Sequence, residues 1–170
     1  GLKELSVALG EAARGLSPIP LFSSAALAGR VVAAVLASAD SSDSSESADA
    51  EVARRELEPI ALGRIATLAW LEGSGEWDPG QVQMRARAVD AGFRLSGGKR
   101  FVLDAGCAER IYVVARDADS EALGLYAVEA SAAGLEIRLQ DGLDLSRTIG
   151  MLRFDDVAVE RVGTGDHDYA

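Results

Sequence analysis

The hydrophobic period changes once along this chain, near residue 60, and that change limits its fold more than any other feature. Upstream, apolar residues recur at helical spacing. In Leu2–Leu16 they are Leu5, Ala8, Leu9, Ala12 and Leu16, a stripe along one face of a helix. Ser17-Pro18-Ile19-Pro20 breaks that helix, because each proline removes a donor and restricts the residue before it. A second helix is expected from an N-cap at Ser23 or Ser24 to Ala37, apolar nearly all round and therefore buried against other helices. Ser38–Ala48 is an acidic Ser/Asp/Glu tract that reads as a solvated loop, with a phosphorylation site as the alternative. Asp49–Leu57 reads as a short helix stopped by Pro59.

From Arg64 the period is two. Arg64–Leu71 is a β-run, and in Gln81–Ala88 the residues Val82, Met84, Ala86 and Ala88 share one face while Gln81, Gln83, Arg85 and Arg87 share the other. Phe93–Ser96 and Lys99–Leu103 flank Gly97-Gly98, the residue pair of a tight hairpin. Glu109–Arg116, Gly124–Glu129, Leu135–Leu139, Gly150–Phe154 and Val157–Val162 complete about eight short strands with no helix between them. The expected fold class is α+β: N-terminal helices followed by an all-β antiparallel sandwich or barrel. Residues 1–60 form the helical part, 61–163 the β-domain and 164–170 a tail.

Composition narrows the chemistry. With 27 acidic against 17 basic residues the net charge is −10, and no basic stripe marks a nucleic-acid surface. The longest apolar stretch, Val31–Ala37, is short of the ~20 residues that cross a bilayer, and the start lacks a signal-peptide pattern. No membrane association is expected, and the location is taken as cytoplasmic. One cysteine excludes an intrachain disulfide and a Cys-based zinc site, and with one histidine the counts nearly eliminate a Cys-His dyad, a Ser-His-Asp triad supplied by one chain and a His-rich metal site. Cys107 reads as a structural thiol, and His167 sits in the polar tail. Glu72–Glu76 is a surface turn rather than a phosphate loop, since it lacks the Gly-Lys-Ser/Thr ending. Asp155-Asp156 reads as a solvated turn, because neighbours on a strand point to opposite faces and share no ion. Trp70 and Trp77 serve either as core or as walls for a planar ligand. Motif chemistry alone assigns no catalytic group and no metal.

A succession of segments carries the reading further. Arg64–Glu72, Phe93–Gly106, Ala108–Arg116, Gly134-Leu135, Leu143–Arg147 and Leu152–Val157 resemble, in order and spacing, the middle β-domain of acyl-CoA dehydrogenases. Leu9–Pro20 and Glu58–Gly63 resemble that family's N-domain segment and its link to the β-domain. The resemblance implies FAD as cofactor and oxidation of an acyl-CoA thioester to the trans-2-enoyl-CoA, with hydride passing to the flavin. It places Leu71 and Glu72 at the Thr-Glu of one flavin motif, Trp77 and Asp78 at its Ser-Asp, and Lys99, Phe101, Val102 and Leu103 along the second motif, Lys-x-Trp-Ile-Thr. The cofactor contacts implied are thus Leu71, Glu72, Phe101, Val102 and Leu103, with Trp77 at the substrate entrance. Leucine replaces the hydroxyl residue at Leu71 and Leu103. No catalytic base is assigned in this chain, because the family carries it in a C-terminal helical domain; the chain reads as an excerpt, inactive alone. Homo- or hetero-oligomers are implied as well. The alternatives are a degenerate subunit that lost its flavin contacts and supports an active partner, and an unrelated β-sandwich binding module.

Overall fold

A computed structural model of the chain describes residues 1–41, 48–73, 75–144 and 146–165. The centre of the acidic tract (42–47), Ser74, Leu145 and the tail with His167 lie outside the described residues.

Helix α1 spans Leu2–Arg14 and stops one turn before the proline pair, with Gly15 following it and Leu16 in the left-handed region at φ 48°. Its stripe is only half-buried, at Leu5, Leu9 and Ala12, and Leu16 is exposed. A π-helical segment, Phe22–Ala28, then runs without a break into α2, Gly29–Ser41. Neither Ser23 nor Ser24 is the expected N-cap; both lie inside the helix and their hydroxyls turn to the β-domain. Ser23 Oγ donates to Asp104 Oδ2 at 2.7 Å. Ser24 Oγ donates to the carbonyl of Ala66 and accepts its N–H, both at 3.0 Å. Helix α3, Ala48–Ala61, is longer than expected at both ends. Pro59 sits inside its last turn, where the lost donor costs one helical bond rather than the helix. The loop expected over Ser38–Ala48 is therefore helical at Ser38–Ser41 and at Ala48.

The second helix packs against α3, as a buried helix was expected to, and the helices together cover one outer surface of the sheet. Ala28, Val32, Val35 and Ala53 pack on Ala66, Leu68, Tyr112, Val114, Leu125, Ala127 and Val162. The stretch Phe22–Ala39 reaches 18 residues at mean hydropathy 1.6, so by length and composition this helix matches a membrane-crossing segment, which the shorter run Val31–Ala37 did not show. Its buried stripe here is the one seated on the sheet.

Seven strands follow: β1 Ala66–Ala69, β2 Arg85–Val89, β3 Gly92–Leu103, β4 Arg110–Asp117, β5 Leu123–Glu129, β6 Leu135–Gln140 and β7 Ile149–Gly165. They form one mostly antiparallel sheet in the order β1-β4-β2-β3-β7-β5, with β6 on β7. β4–β5 pairing closes it into a ring. Two pairings, β1–β4 and β2–β4, are parallel, where a wholly antiparallel domain was expected. The strand alternation builds two cores. Ile111, Val113 and Ala115 of β4 face the barrel interior with Tyr126, Val128, Leu152 and Phe154, whereas Tyr112 and Val114 face the helices.

Three local expectations are corrected. Gly97-Gly98 is no hairpin turn: β3 runs through it with a register shift, Gly97 at φ 135°. The chain reverses at Asp90-Ala91, where Val89 pairs with Gly92 at φ 106°. A Gly pair serves a bulge as well as a turn, and the partner strand decides. Asp155-Asp156 is likewise not a turn but part of β7. Asp156, at φ 51°, donates its N–H to Ser96 Oγ at 3.1 Å and pairs with Arg87 and Arg94. The strand count drops accordingly.

β7 passes beneath α2 at Gly163, where a Cβ would overlap Val35 Cγ1. Gly163→Ala is expected to lower stability by about 1–3 kcal/mol through overpacking. An unchanged urea midpoint would show that α2 yields freely.

Candidate functional site

The two segments singled out in the sequence meet at the exit of β1. Leu71 follows β1, and its carbonyl accepts the Arg100 N–H at 2.8 Å, joining the loop Leu71–Asp78 to β3. Between Lys99 and Val102 the β3–β7 register shifts, so Arg100 and Phe101 form a bulge opposite Met151. Phe101 stands there at φ 54°, a strained conformation for a bulky residue, and the residue is 47% exposed. Gly75, at φ 75°, lies against that ring; a Cβ would come within 3.1 Å of Phe101 Cε2. Trp77 is exposed and leans on buried Trp70, ring centroids 6.1 Å apart.

The other residues proposed as contacts face elsewhere. Val102 is buried in the barrel core. Leu71 packs in the core beneath the helices with Trp70 and Val82. Leu103 is half-buried, and its carbonyl accepts the Thr67 hydroxyl at 2.6 Å. Thr67 was not singled out in the sequence, and a threonine inside a β-run carries no signal of such a contact.

Glu72 and Lys99 form the most enclosed charge pair near the loop. Lys99 Nζ, fully enclosed, donates to Glu72 Oε1 at 2.7 Å and to the Trp70 carbonyl at 2.9 Å. Glu72 also accepts the N–H groups of Gln83 and Met84, at 2.9 and 3.1 Å. Burial works against the Glu72 charge, but Lys99 and these two donors outweigh it and hold its carboxyl below the usual range. Burial pushes the Lys99 ammonium below its usual range despite Glu72. Glu72 thus clamps three segments, its carboxylate committed to three donors. Asp78 is likewise engaged, accepting the Gly80 N–H at 2.8 Å as the cap of a short 3-10 turn, Pro79–Gln81.

Asp104, at φ 53°, closes the far side of the bulge. It takes the Ser23 hydroxyl and Arg147 Nη1, the latter at 3.3 Å, while Arg147 stacks over Phe22. Cys107 is exposed, and desolvation of its thiol, then the Asp104 carboxylate, push the thiol up, away from the reactive thiolate. No group of His, Cys, Asp and Glu with metal-site geometry occurs among the described residues.

No family model and no curated protein matches this chain. Solved structures do. A variant of the Tcur3481–Tcur3483 steroid ACAD (acyl-CoA dehydrogenase) is 29% identical, with a TM-score of 0.69 over 96% of this chain and 40% of that one. The ChsE4–ChsE5 complex of Mycobacterium tuberculosis is 23% identical, with a TM-score of 0.63 over 89% of this chain and 37% of that one. Butyryl-CoA dehydrogenase from Megasphaera elsdenii is 22% identical, with a TM-score of 0.58 over 66% of this chain and 31% of its own. Over most of its length the chain therefore matches acyl-CoA dehydrogenases structurally, as helices followed by their middle β-domain, and it spans 40% or less of these relatives.

Proposed function

We propose that this chain is the central part of an acyl-CoA dehydrogenase-type subunit, acting in a cytoplasmic oligomer, with FAD against Phe101–Leu103 and the Leu71–Asp78 loop. Phe101 carries the reading. A bulky ring held at φ 54° on a bulge, exposed, with Gly75 alone small enough to lie on it, is a costly arrangement that core packing does not require. It suits an aromatic face against a planar cofactor. The donor set fits a flavin through that face and through main-chain groups, since Leu71 and Leu103 bring no hydroxyl.

When bound, FAD supplies the hydride acceptor for oxidation of an acyl-CoA thioester to its trans-2-enoyl form. The chain's own part is support. Phe101 backs the ring, Gly75 keeps its clearance, and the Glu72–Lys99 pair fixes the loop that faces it. Trp77, exposed beside Trp70, narrows the approach. Glu72 and Asp78 are engaged structurally, so the proton-abstracting base is neither of them.

Phe101→Ala is expected to weaken FAD retention by about 1–3 kcal/mol, roughly 5- to 150-fold, from lost burial and stacking. Fluorescence titration of the protein with FAD measures this; equal affinities would remove Phe101 from the site. A second reading rests on Leu71 and Leu103: a non-catalytic subunit supporting an active partner. Two of the similar structures are named as two-protein assemblies, which is in keeping with it. Visible flavin absorption of the purified protein supports the first reading. Absence of flavin after adding excess FAD, with an active partner co-purifying, supports the second.

A further inference from the structure

Strand β6 leaves one side of its backbone uncovered. It pairs with β7 alone, in an unshifted register from Leu135↔Phe154 to Gln140↔Ile149. The Gly134 carbonyl accepts the Asp155 N–H at 3.0 Å, so the main-chain groups of Gly134 face β7, and by alternation those of Glu136, Arg138 and Gln140 do too. Those of Leu135, Ile137 and Leu139 point the other way. The Leu135 N–H turns back to the Ala132 carbonyl at 3.1 Å, and among the described residues no main-chain partner meets the outward groups of Ile137 and Leu139. Sheet edges are ordinarily guarded by a proline, a lysine or a bulge. β6 has none of these.

The edge is also complementary to itself. Leu135-Glu-Ile-Arg-Leu139 has the same apolar pattern read in either direction from Ile137, with opposite charges at the mirrored places. Laid antiparallel on a second copy about a two-fold axis at Ile137, each Leu135 faces the other copy's Leu139 and each Glu136 the other copy's Arg138. The backbone phase agrees. Ile137 and Leu139 fall at hydrogen-bonded positions of the new ladder, and Glu136 and Arg138 at the positions where side chains come closest. The neighbouring registers that keep this phase centre on Glu136 or on Arg138, and each sets like charges opposite one another. Leu135 and Ile137 pack on the barrel core, while Leu139 is 57% exposed and would be covered by the pairing. Glu136 and Arg138, both exposed and 2.8 Å apart within the chain, can exchange partners across the axis.

We propose that β6 is a docking edge for a second copy of this chain, joined as an antiparallel β6–β6 pair centred on Ile137 that continues the sheet across a two-fold axis. The proposal does not depend on flavin at Phe101. Sedimentation equilibrium of the intact protein at physiological ionic strength, where repulsion between two chains of charge −10 is screened, tests it. A concentration-dependent dimer is expected. Glu136→Arg and Arg138→Glu each turn two symmetric attractions into repulsions, and each is expected to weaken dimerisation roughly tenfold or more. An equimolar mixture of the two variants restores opposite charges at every pair, so it should recover dimers that neither variant forms alone. A role of the Glu136–Arg138 pair within one chain cannot produce that recovery, because mixing leaves each chain unchanged. Both positions are exposed, and melting curves of the variants should match the parent's. Monomers throughout, as when another segment or another protein covers β6, overturn the proposal; so do dimers that neither variant weakens, or a mixture no more associated than its components. Visible absorbance of the same samples reports flavin separately, and a flavin-free dimer with this charge dependence supports the proposal all the same.

Discussion

Replacing Glu56 with alanine is expected to cost about 3–5 kcal/mol, a fall in Tm on the order of 10 °C. Glu56 of α3 reaches across to β4 and takes both forks of Arg110, at 2.9 Å from Nε and 2.6 Å from Nη2. It also accepts the Tyr112 hydroxyl at 2.8 Å. The side chains of Glu56 and Arg110 are 8% and 11% exposed, so removing the carboxylate leaves a guanidinium almost out of water. Arg110 cannot shed its charge: burial opposes it, but Glu56 and then Glu129 raise its pKa above an already high value. Glu129 Oε1, 2.9 Å from Arg110, offsets part of the loss from a more exposed position. Glu56→Gln keeps the shape and should cost less. Tyr112 adds a pH signature. Burial first, then Glu56, raise its phenol well above the ordinary range. A folded pKa raised above the unfolded one means a contribution fully present below about pH 10 and falling as the pH rises beyond it. That alkaline loss should vanish in Tyr112→Phe. Thermal melts between neutral and alkaline pH check both points, and a Glu56→Ala protein melting within a degree or two of the parent would refute the first.

The same network shows where sequence reasoning stops. Helices first and strands after were legible, because period 3.6 and period 2 are local properties, and the break at Pro18 and Pro20 has a local cause. β4 was legible almost to the residue, since Ile111 to Ala115 needs apolar groups on both faces. What was lost is decided by partners far along the chain. Gly97-Gly98 has turn chemistry, yet β7 lies alongside and makes it a bulge. Asp155-Asp156 looks like a solvated turn until Arg87 and Arg94 arrive from β2 and β3. Pro59 stops a helix only where the helix needs the bond it removes. The parallel partners of β4 leave no local trace at all.

The site divides along the same line. That Leu71–Asp78 would meet Phe101–Leu103 followed from family resemblance, not from spacing. Which side chains face outward depends on the bulge: Phe101 leaves the sheet surface while Val102, next to it, enters the core. The mirrored pattern about Ile137 stands in the sequence, but only the folded sheet shows that β7 takes one side of β6 and leaves the other uncovered.

The Lys99–Glu72 pair is where stability and site geometry are joined, and Lys99→Met is expected to cost about 3–5 kcal/mol. The ammonium is wholly enclosed, Glu72 is 15% exposed, and their separation is 2.7 Å. Removing Lys99 leaves a carboxylate held by two main-chain donors and frees the Trp70 carbonyl. Glu72→Gln is expected to cost less, because Lys99, pushed down by burial, is the partner better able to become neutral. The double replacement, Glu72→Gln with Lys99→Met, should recover much of the single loss, as no charge then remains inside, and the cycle should show coupling on the order of 1–3 kcal/mol. Acid titration separates the pair from mere packing. The Glu72 carboxyl lies below its unfolded pKa, so its contribution is fully present above about pH 4.3 and is lost as the pH falls through the folded value. That acid-dependent component should be absent from the double variant. Trp70, whose carbonyl Lys99 holds, reports locally through its fluorescence, and the Leu71–Asp78 loop should loosen in Lys99→Met before the barrel unfolds. Independent, additive losses in the two single variants would mean that the two charges stand side by side without sustaining one another, and that the loop facing Phe101 is fixed by the backbone bond from Arg100 to Leu71 instead.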